Sequence, residues 1–289
     1  MEIKHSETIQ TAAGIAFLRH GKLGGHPVIA LHGSPGSHLT FNDYSESSLI
    51  GGIDLLALDR LGYGDTILSP SRSLRDWTGM VGTLLDSLDL DRVSVIGTSG
   101  GAPYALALAA ELGDRIQSVA IVAGVGDFRR GDLSEGMLGL NSFMNRASSV
   151  GPWCADFVGS IVMSLSKLAP ELFLKRGIKL LPLSDQHEMA IPSVHDTYIA
   201  ISKTLGARRG KAFGTDFNIF NSGWVSLTSR VTCPVKWWHG ELDKNVPLPH
   251  AKNIVSKLPS GELEVVKGGG HLLLRLVYGE VLSFLKSQA

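Results

Sequence analysis

The sequence predicts an α/β domain built on a mostly parallel sheet flanked by helices. Three observations carry that expectation. Short apolar runs at residues 28–31, 53–58, 93–96 and 115–122 alternate with segments of helical spacing, the strand–crossover–strand order of a parallel sheet. One run passes into an alanine- and leucine-rich segment through Gly97-Thr98-Ser99-Gly100-Gly101, which places glycines two residues to either side of a serine. The alternation stops near residue 128, gives way to helical segments alone, and resumes near residue 222.

In chain order, residues 3–9 and 14–20 read as two strands around Ala12-Ala13-Gly14, an antiparallel hairpin at a sheet edge. The buried strand 28–31 runs into His32-Gly33-Ser34-Pro35-Gly36. Strand 53–58 leads to the glycine-punctuated loop Asp59-Arg60-Leu61-Gly62-Tyr63-Gly64. Residues 74–88 carry apolar side chains at helical spacing, with Ser73 as N-cap. After strand 115–122 comes the loop to Asp127. Residues 128–221 show no strand signal, and breaks fall at Gly151-Pro152, Pro170, Pro182 and Pro192. That length exceeds an ordinary connection, so a helical cap is expected there, with 1–127 and 222–289 forming the core domain. The closing pattern is a helix near 224–229, strand 235–238, helix 249–258, strand 262–266 and a final helix to about Lys286.

The glycine-framed serine fits a nucleophile elbow. A serine on a very tight strand-to-helix turn has strained dihedrals, and its neighbours two residues away come too close for side chains. The turn lifts the Ser99 hydroxyl above the sheet edge and leaves the Gly100 amide free at a helix N-terminus, where it suits a negative oxygen. A serine hydroxyl needs a base, and the base needs an orienting acid. Such groups gather at the carboxyl ends of parallel strands. Asp243 follows strand 235–238, and His271 follows strand 262–266 behind three glycines. Asp127 is the rival for the acid, and His239 and His250 are rivals for the base. The second oxyanion donor is expected from the Ser34 backbone amide, in a loop turned by Gly33 and Gly36.

Composition narrows the function classes. Lysines and arginines number 27 against 27 aspartates and glutamates, so nothing favours nucleic acid or an anionic membrane. No apolar run is long enough to span a bilayer, and Met1-Glu2-Ile3-Lys4-His5 lacks an apolar signal core. A cytoplasmic monomer or homodimer is expected, acting on a small-molecule substrate. Cys154 and Cys233 lie far apart, as free thiols, and no Cys/His cluster has metal spacing.

Taken together, these segments resemble the α/β-hydrolase fold of the helically capped, serine-hydrolase or esterase type. The matching pieces are His32-Gly33-Ser34-Pro35-Gly36, Asp59-Arg60-Leu61-Gly62-Tyr63-Gly64, Gly97-Thr98-Ser99-Gly100-Gly101, His239-Gly240-Glu241-Leu242-Asp243 and Gly270-His271. The resemblance implies an eight-stranded, mostly parallel sheet with its second strand antiparallel and a helical cap inserted after the sixth strand. It also implies a Ser99–His271–Asp243 triad, Gly100 and Ser34 amides as oxyanion hole, and no metal or cofactor. Haloalkane dehalogenases and epoxide hydrolases are set aside, since they carry aspartate at the elbow. Gly100 stands where many esterases have methionine, which predicts open space beside the oxyanion hole. Phe143, Trp153, Phe157, Met137 and Met144 suggest an apolar pocket under the cap. The leading expectation is hydrolysis of a carboxylic ester of a small, fairly apolar substrate. The alternatives are a lactone, thioester, amide or carbon–carbon bond at the same triad, acyl transfer, or a receptor-like binding protein with slow turnover.

Overall fold

A computed structural model describes residues 10–69, 71–205 and 207–288. Eight strands form one sheet in the order β1-β2-β4-β3-β5-β6-β7-β8. They are β1 (Gln10–Ala12), β2 (Ile15–Gly21), β3 (His26–Leu31), β4 (Ile53–Leu58), β5 (Val93–Thr98), β6 (Ile116–Val122), β7 (Val235–Gly240) and β8 (Gly261–Val266). β2 runs antiparallel to both β1 and β4, and every pair from β4 to β8 is parallel. The sheet matches the expected eight-stranded, mostly parallel α/β-hydrolase arrangement. The hairpin turns at Ala13-Gly14 as expected, while the strand expected at 3–9 lies outside the described residues.

Both faces of the central strands β3, β4, β5 and β6 are covered, which is why these strands read as largely apolar runs. Alternate side chains sort into two cores. Ile29, Leu31, Leu56 and Leu58 face one side; Val28, Ala30, Leu55 and Ala57 face the other. The first side is closed by α2 (Leu74–Ser87), α3 (Ala102–Leu112) and α10 (Leu248–Val255). The second is closed mainly by α11 (Leu274–Ser287), whose Leu274, Val277, Tyr278, Val281, Leu282 and Leu285 recur at helical spacing. Ser73 caps α2 as expected, accepting from the Asp76 N–H at 3.1 Å. A short helix α1 (Ser45–Gly51) follows a 3-10 segment after β3; no sequence pattern announced it.

Between β6 and β7 the described residues form six α-helices and no strand. These are α4 (Gly139–Val150), α5 (Pro152–Leu168), α6 (Pro170–Ile178), α7 (Leu183–Met189), α8 (Pro192–Thr204) and α9 (Ala207–Phe220). Pro152, Pro170 and Pro192 each open a helix, where a missing N–H costs little, and Pro182 directly precedes α7. α9 is the bridge between insert and sheet. Its Phe213, Phe217 and Phe220 join the main core, and α5 packs along its other side with Ala155, Gly159 and Met163.

Candidate active site

Ser99 occupies the sharp turn between β5 and α3 with φ +47°, a left-handed conformation that a non-glycine residue adopts only under strain. The glycines around it are explained by close approach. A Cβ on Gly97 would stand 2.9 Å from Ala105 Cβ, and one on Gly101 would stand 2.6 Å from the Leu31 carbonyl oxygen. The Ser99 carbonyl is tied down by the Val125 N–H at 3.0 Å, so the turn is held from the next strand's end.

Three residues from three separate strand ends converge. His271 Nε2 lies 2.9 Å from Ser99 Oγ, and His271 Nδ1 lies 2.7 Å from Asp243 Oδ2. An ionised carboxylate only accepts, so Nδ1 carries the proton and Nε2 is left to accept from the serine hydroxyl. Asp243 is buried, and its Oδ1 accepts from the Asn245 and Val246 amides at 2.8 and 2.9 Å. Burial works to lower the His271 pKa. The Asp243 charge and hydrogen bond, with the Asp185 charge, outweigh it and hold the imidazole above its ordinary value.

The rival residues are committed elsewhere. Asp127 is paired with Arg129 at 2.8 Å. His239 donates from Nε2 to the Val246 carbonyl at 2.8 Å and accepts the Trp237 indole N–H at 3.1 Å on Nδ1. Burial lowers its pKa, so it stands as a neutral ring beside Asp243, 3.4 Å from Oδ2. His250 meets Ser134 at 3.2 Å, and burial pushes its pKa down to about 4.

The loop after β3 is clamped from behind. His32 donates from Nδ1 to the Gly33 carbonyl at 2.8 Å and accepts the Arg60 N–H on Nε2 at 3.1 Å. Arg60 donates to the His32 carbonyl at 2.9 Å, and from Nη2 to the Gly33 carbonyl and Ser34 Oγ at 2.8 Å each. Both loop carbonyls are thereby taken up on the Arg60 side. Ser34 is in direct contact with the residue after the nucleophile: a Cβ on Gly100 would overlap Ser34 Oγ and stand 3.0 Å from Phe220 Cζ. The open space expected beside Gly100 is therefore filled. The glycine makes room for a side chain of the facing loop and a ring of α9.

A second expectation also changes. Phe143, Trp153 and Phe157 are 55%, 69% and 64% exposed, on the outer sides of α4 and α5, because α5 turns its small residues inward onto α9. Met137 and Met144 are buried in the core. Phe220 of α9 is an apolar group that does stand beside the elbow, against Gly100, and it packs with Phe217 and with Phe128.

Two residues here had no place in the sequence reading. Asp216 of α9 is fully buried and accepts from Arg60 Nη1 at 2.5 Å, Arg60 Nη2 at 2.9 Å, and the Tyr63 and Tyr104 hydroxyls at 2.7 Å each, as well as from Ser34 Oγ. A signal for it existed: the acid sits within the apolar spacing Phe213, Phe217, Phe220, where a solvated acid does not belong. Asp185 of α7 accepts from the His271 N–H at 2.8 Å and the Leu272 N–H at 2.9 Å. Nothing in its local sequence marks it. Among the described residues, no cluster of His, Cys, Asp and Glu has the arrangement of a metal site, and no single helix is long and apolar enough to cross a membrane.

Comparison with known proteins agrees with the fold. The chain is 23% identical over 254 residues to an uncharacterised hydrolase, YcgS, of Bacillus subtilis, covering 86% of each protein. It is 30% identical over 119 residues to the 2-hydroxy-6-oxo-2,4-heptadienoate hydrolase of Pseudomonas putida, covering 40% of this chain and 43% of that one. Its fold is similar to that of the esterase EaEST from Exiguobacterium antarcticum, with a TM-score of 0.72 at 17% identity over 96% of this chain and 98% of that one. The model of the alpha/beta hydrolase family matches residues 28–280, from β3 into α11. With the sheet order, the elbow and that match in agreement, the chain belongs to the alpha/beta hydrolase family.

Proposed function

We propose that this protein is a serine hydrolase cleaving a carboxylic ester of a small, fairly apolar substrate through an acyl-enzyme. The carrying observation is the chain Ser99 Oγ–His271 Nε2 at 2.9 Å and His271 Nδ1–Asp243 Oδ2 at 2.7 Å, with the serine on a strained turn. In this reading Ser99 attacks the ester carbonyl while His271 takes its proton. Asp243 fixes the tautomer and stabilises the imidazolium. The Gly100 and Ser34 amides receive the oxyanion. His271 then protonates the leaving alcohol, and the same residue activates the water that hydrolyses the acyl-enzyme. The helices between 128 and 221 act as the cap on the 1–127 and 222–289 core, with the Phe220 ring favouring an uncharged acyl or alkyl group.

The test is turnover of short- and medium-chain p-nitrophenyl esters, together with labelling by a fluorophosphonate and mass mapping of the labelled peptide. Repeated turnover and a single label on the Ser99 peptide are expected. A folded protein that releases no p-nitrophenol and takes no label would exclude the reading.

Gly100→Ala tests the oxyanion assignment separately. The added methyl must displace Ser34 Oγ or the turn itself. The variant is expected to lose about 10- to 1000-fold in kcat, the size of one misplaced donor, with KM changed far less. A kcat within twofold of wild type would remove Gly100 and Ser34 from the oxyanion role.

A further inference from the structure

We propose that Asp185, carried on the inserted helix α7, is a positioning residue for His271: its carboxylate holds the histidine loop by two successive backbone amides and gives the imidazole a second negative neighbour. The inference rests on the serine-hydrolase reading and deepens it. It makes the insert part of the machinery that sets up the base, beyond covering the site.

The geometry is specific. Asp185 is 1% exposed, and its two oxygens divide the work: Oδ2 takes the His271 N–H at 2.8 Å and Oδ1 takes the Leu272 N–H at 2.9 Å. Those amides lie just ahead of α11, whose own N-cap position, Leu273, offers no side-chain cap. An external acid therefore caps the approach to the helix, in the place where amides and helix dipole favour negative charge. The loop is shaped to admit it. A Cβ on Gly270 would overlap the Asp185 carboxylate, which accounts for a glycine directly before the histidine. The other side of the loop is held by the Leu242 N–H on the Gly269 carbonyl at 2.8 Å. One turn further along α7, Glu188 pairs with Arg275 of α11 at 2.9 Å, so α7 engages the segment at two points.

The charges around the imidazole are few. Asp243 faces Nδ1 from the loop after β7, Ser99 faces Nε2 from the elbow, and Asp185 approaches from α7. His239, on β7, is kept neutral by burial. Tyr198 of α8 is kept neutral as well, its pKa pushed up to about 12 by burial and the charges of Asp185 and Glu188. Glu188 is offset by Arg275. Asp185 is thus the second negative charge acting on His271. Catalysis needs the imidazole neutral at rest and charged once Ser99 gives up its proton. Removing the Asp185 charge lowers the His271 pKa. The acid limb of kcat/KM, which reports loss of the neutral base as pH falls, then moves to lower pH.

The experiment compares wild type, Asp185→Asn, Asp185→Glu and Ser99→Ala on p-nitrophenyl acetate across pH, with circular dichroism and thermal melts as folding controls. Asp185→Asn is expected to lose about tenfold in kcat, keep KM within twofold, and shift its acid limb to lower pH; a purely structural role would leave the limb in place. Asp185→Glu keeps the charge but misplaces it by a methylene, so the limb stays while kcat falls at least fivefold. An Asn variant that folds, with an unmoved limb and kcat within twofold, overturns the inference alone. If the Asn variant does not fold, the Glu variant decides, and wild-type kcat in it overturns the positioning role. A wild type without Ser99-dependent turnover overturns the serine-hydrolase reading itself, and the inference with it.

Discussion

Ser99→Ala is expected to lower kcat/KM for a p-nitrophenyl ester by about 10⁴- to 10⁶-fold while moving the thermal midpoint by no more than a few degrees. The activity side follows from the geometry. Ser99 Oγ is the oxygen that His271 Nε2 faces at 2.9 Å, and without it the imidazole has no hydroxyl to deprotonate. What survives is the background from oriented amides and substrate binding, which acts on water as a poor nucleophile. The stability side follows from the turn. Alanine at φ +47° is strained as serine is, so the elbow's backbone cost is unchanged, and the lost hydroxyl made a hydrogen bond worth about 1 kcal/mol. Progress curves and melts of both proteins check it. A variant within tenfold of wild-type activity would mean that another group is the nucleophile.

Asp216→Ala is expected to cost about 3–5 kcal/mol of folding stability and most of the activity, a large share of the few to fifteen kcal/mol that a domain usually has. Arg60 is fully buried, and burial works to lower its pKa; the charge and hydrogen bond of Asp216, together with Tyr104 and Tyr63, outweigh it, and the guanidinium stays charged. Removing the acid strands that charge and two tyrosine hydroxyls in the interior. It also takes away the acceptor of the Ser34 hydroxyl, and with it a direct tie between α9 and the loop after β3. Urea unfolding should show a lower midpoint with little change in slope. The double variant Arg60→Met with Asp216→Leu should recover part of the stability, because two apolar side chains leave no unpaired charge. It should not recover activity, since Arg60 also holds the His32 and Gly33 carbonyls. An Asp216→Ala protein with a wild-type midpoint would show that α9 is held by its phenylalanines alone.

The convergence of Ser99, Asp243 and His271 was legible in the sequence because each stands just after a strand, and strand ends in a parallel sheet share one edge. The strand pattern and nearby glycines placed all three at that edge, alongside the rivals Asp127, His239 and His250, and the family resemblance favoured Asp243 and His271 among them. The proline breaks at 152, 170 and 192 located the helix starts of the insert for a similarly local reason: proline suits the first helical position. Side-chain direction in the insert was less legible. Trp153 and Phe157 have helical spacing on α5, but spacing does not say which side meets a neighbour, and the small residues Ala155 and Gly159 won that side through close contact with α9.

Gly100 illustrates the same limit at a single position. The sequence says that a side chain is missing; only the packing of the facing loop says that Ser34 and Phe220 use the room. Asp185 and Asp216 are the stronger cases. Their partners lie 86 and 156 residues away, at His271 and Arg60. By itself the sequence determined the alternation of strands and helices, the strained serine turn, and the strand-end positions of Ser99, Asp243 and His271, because each depends on residues close together in the chain. Tertiary structure alone decided which acids of the helices between β6 and β7 meet the loop before α11 and the loop after β3. A buried carboxylate is tolerated only where donors converge on it, and that convergence exists only once distant elements have packed.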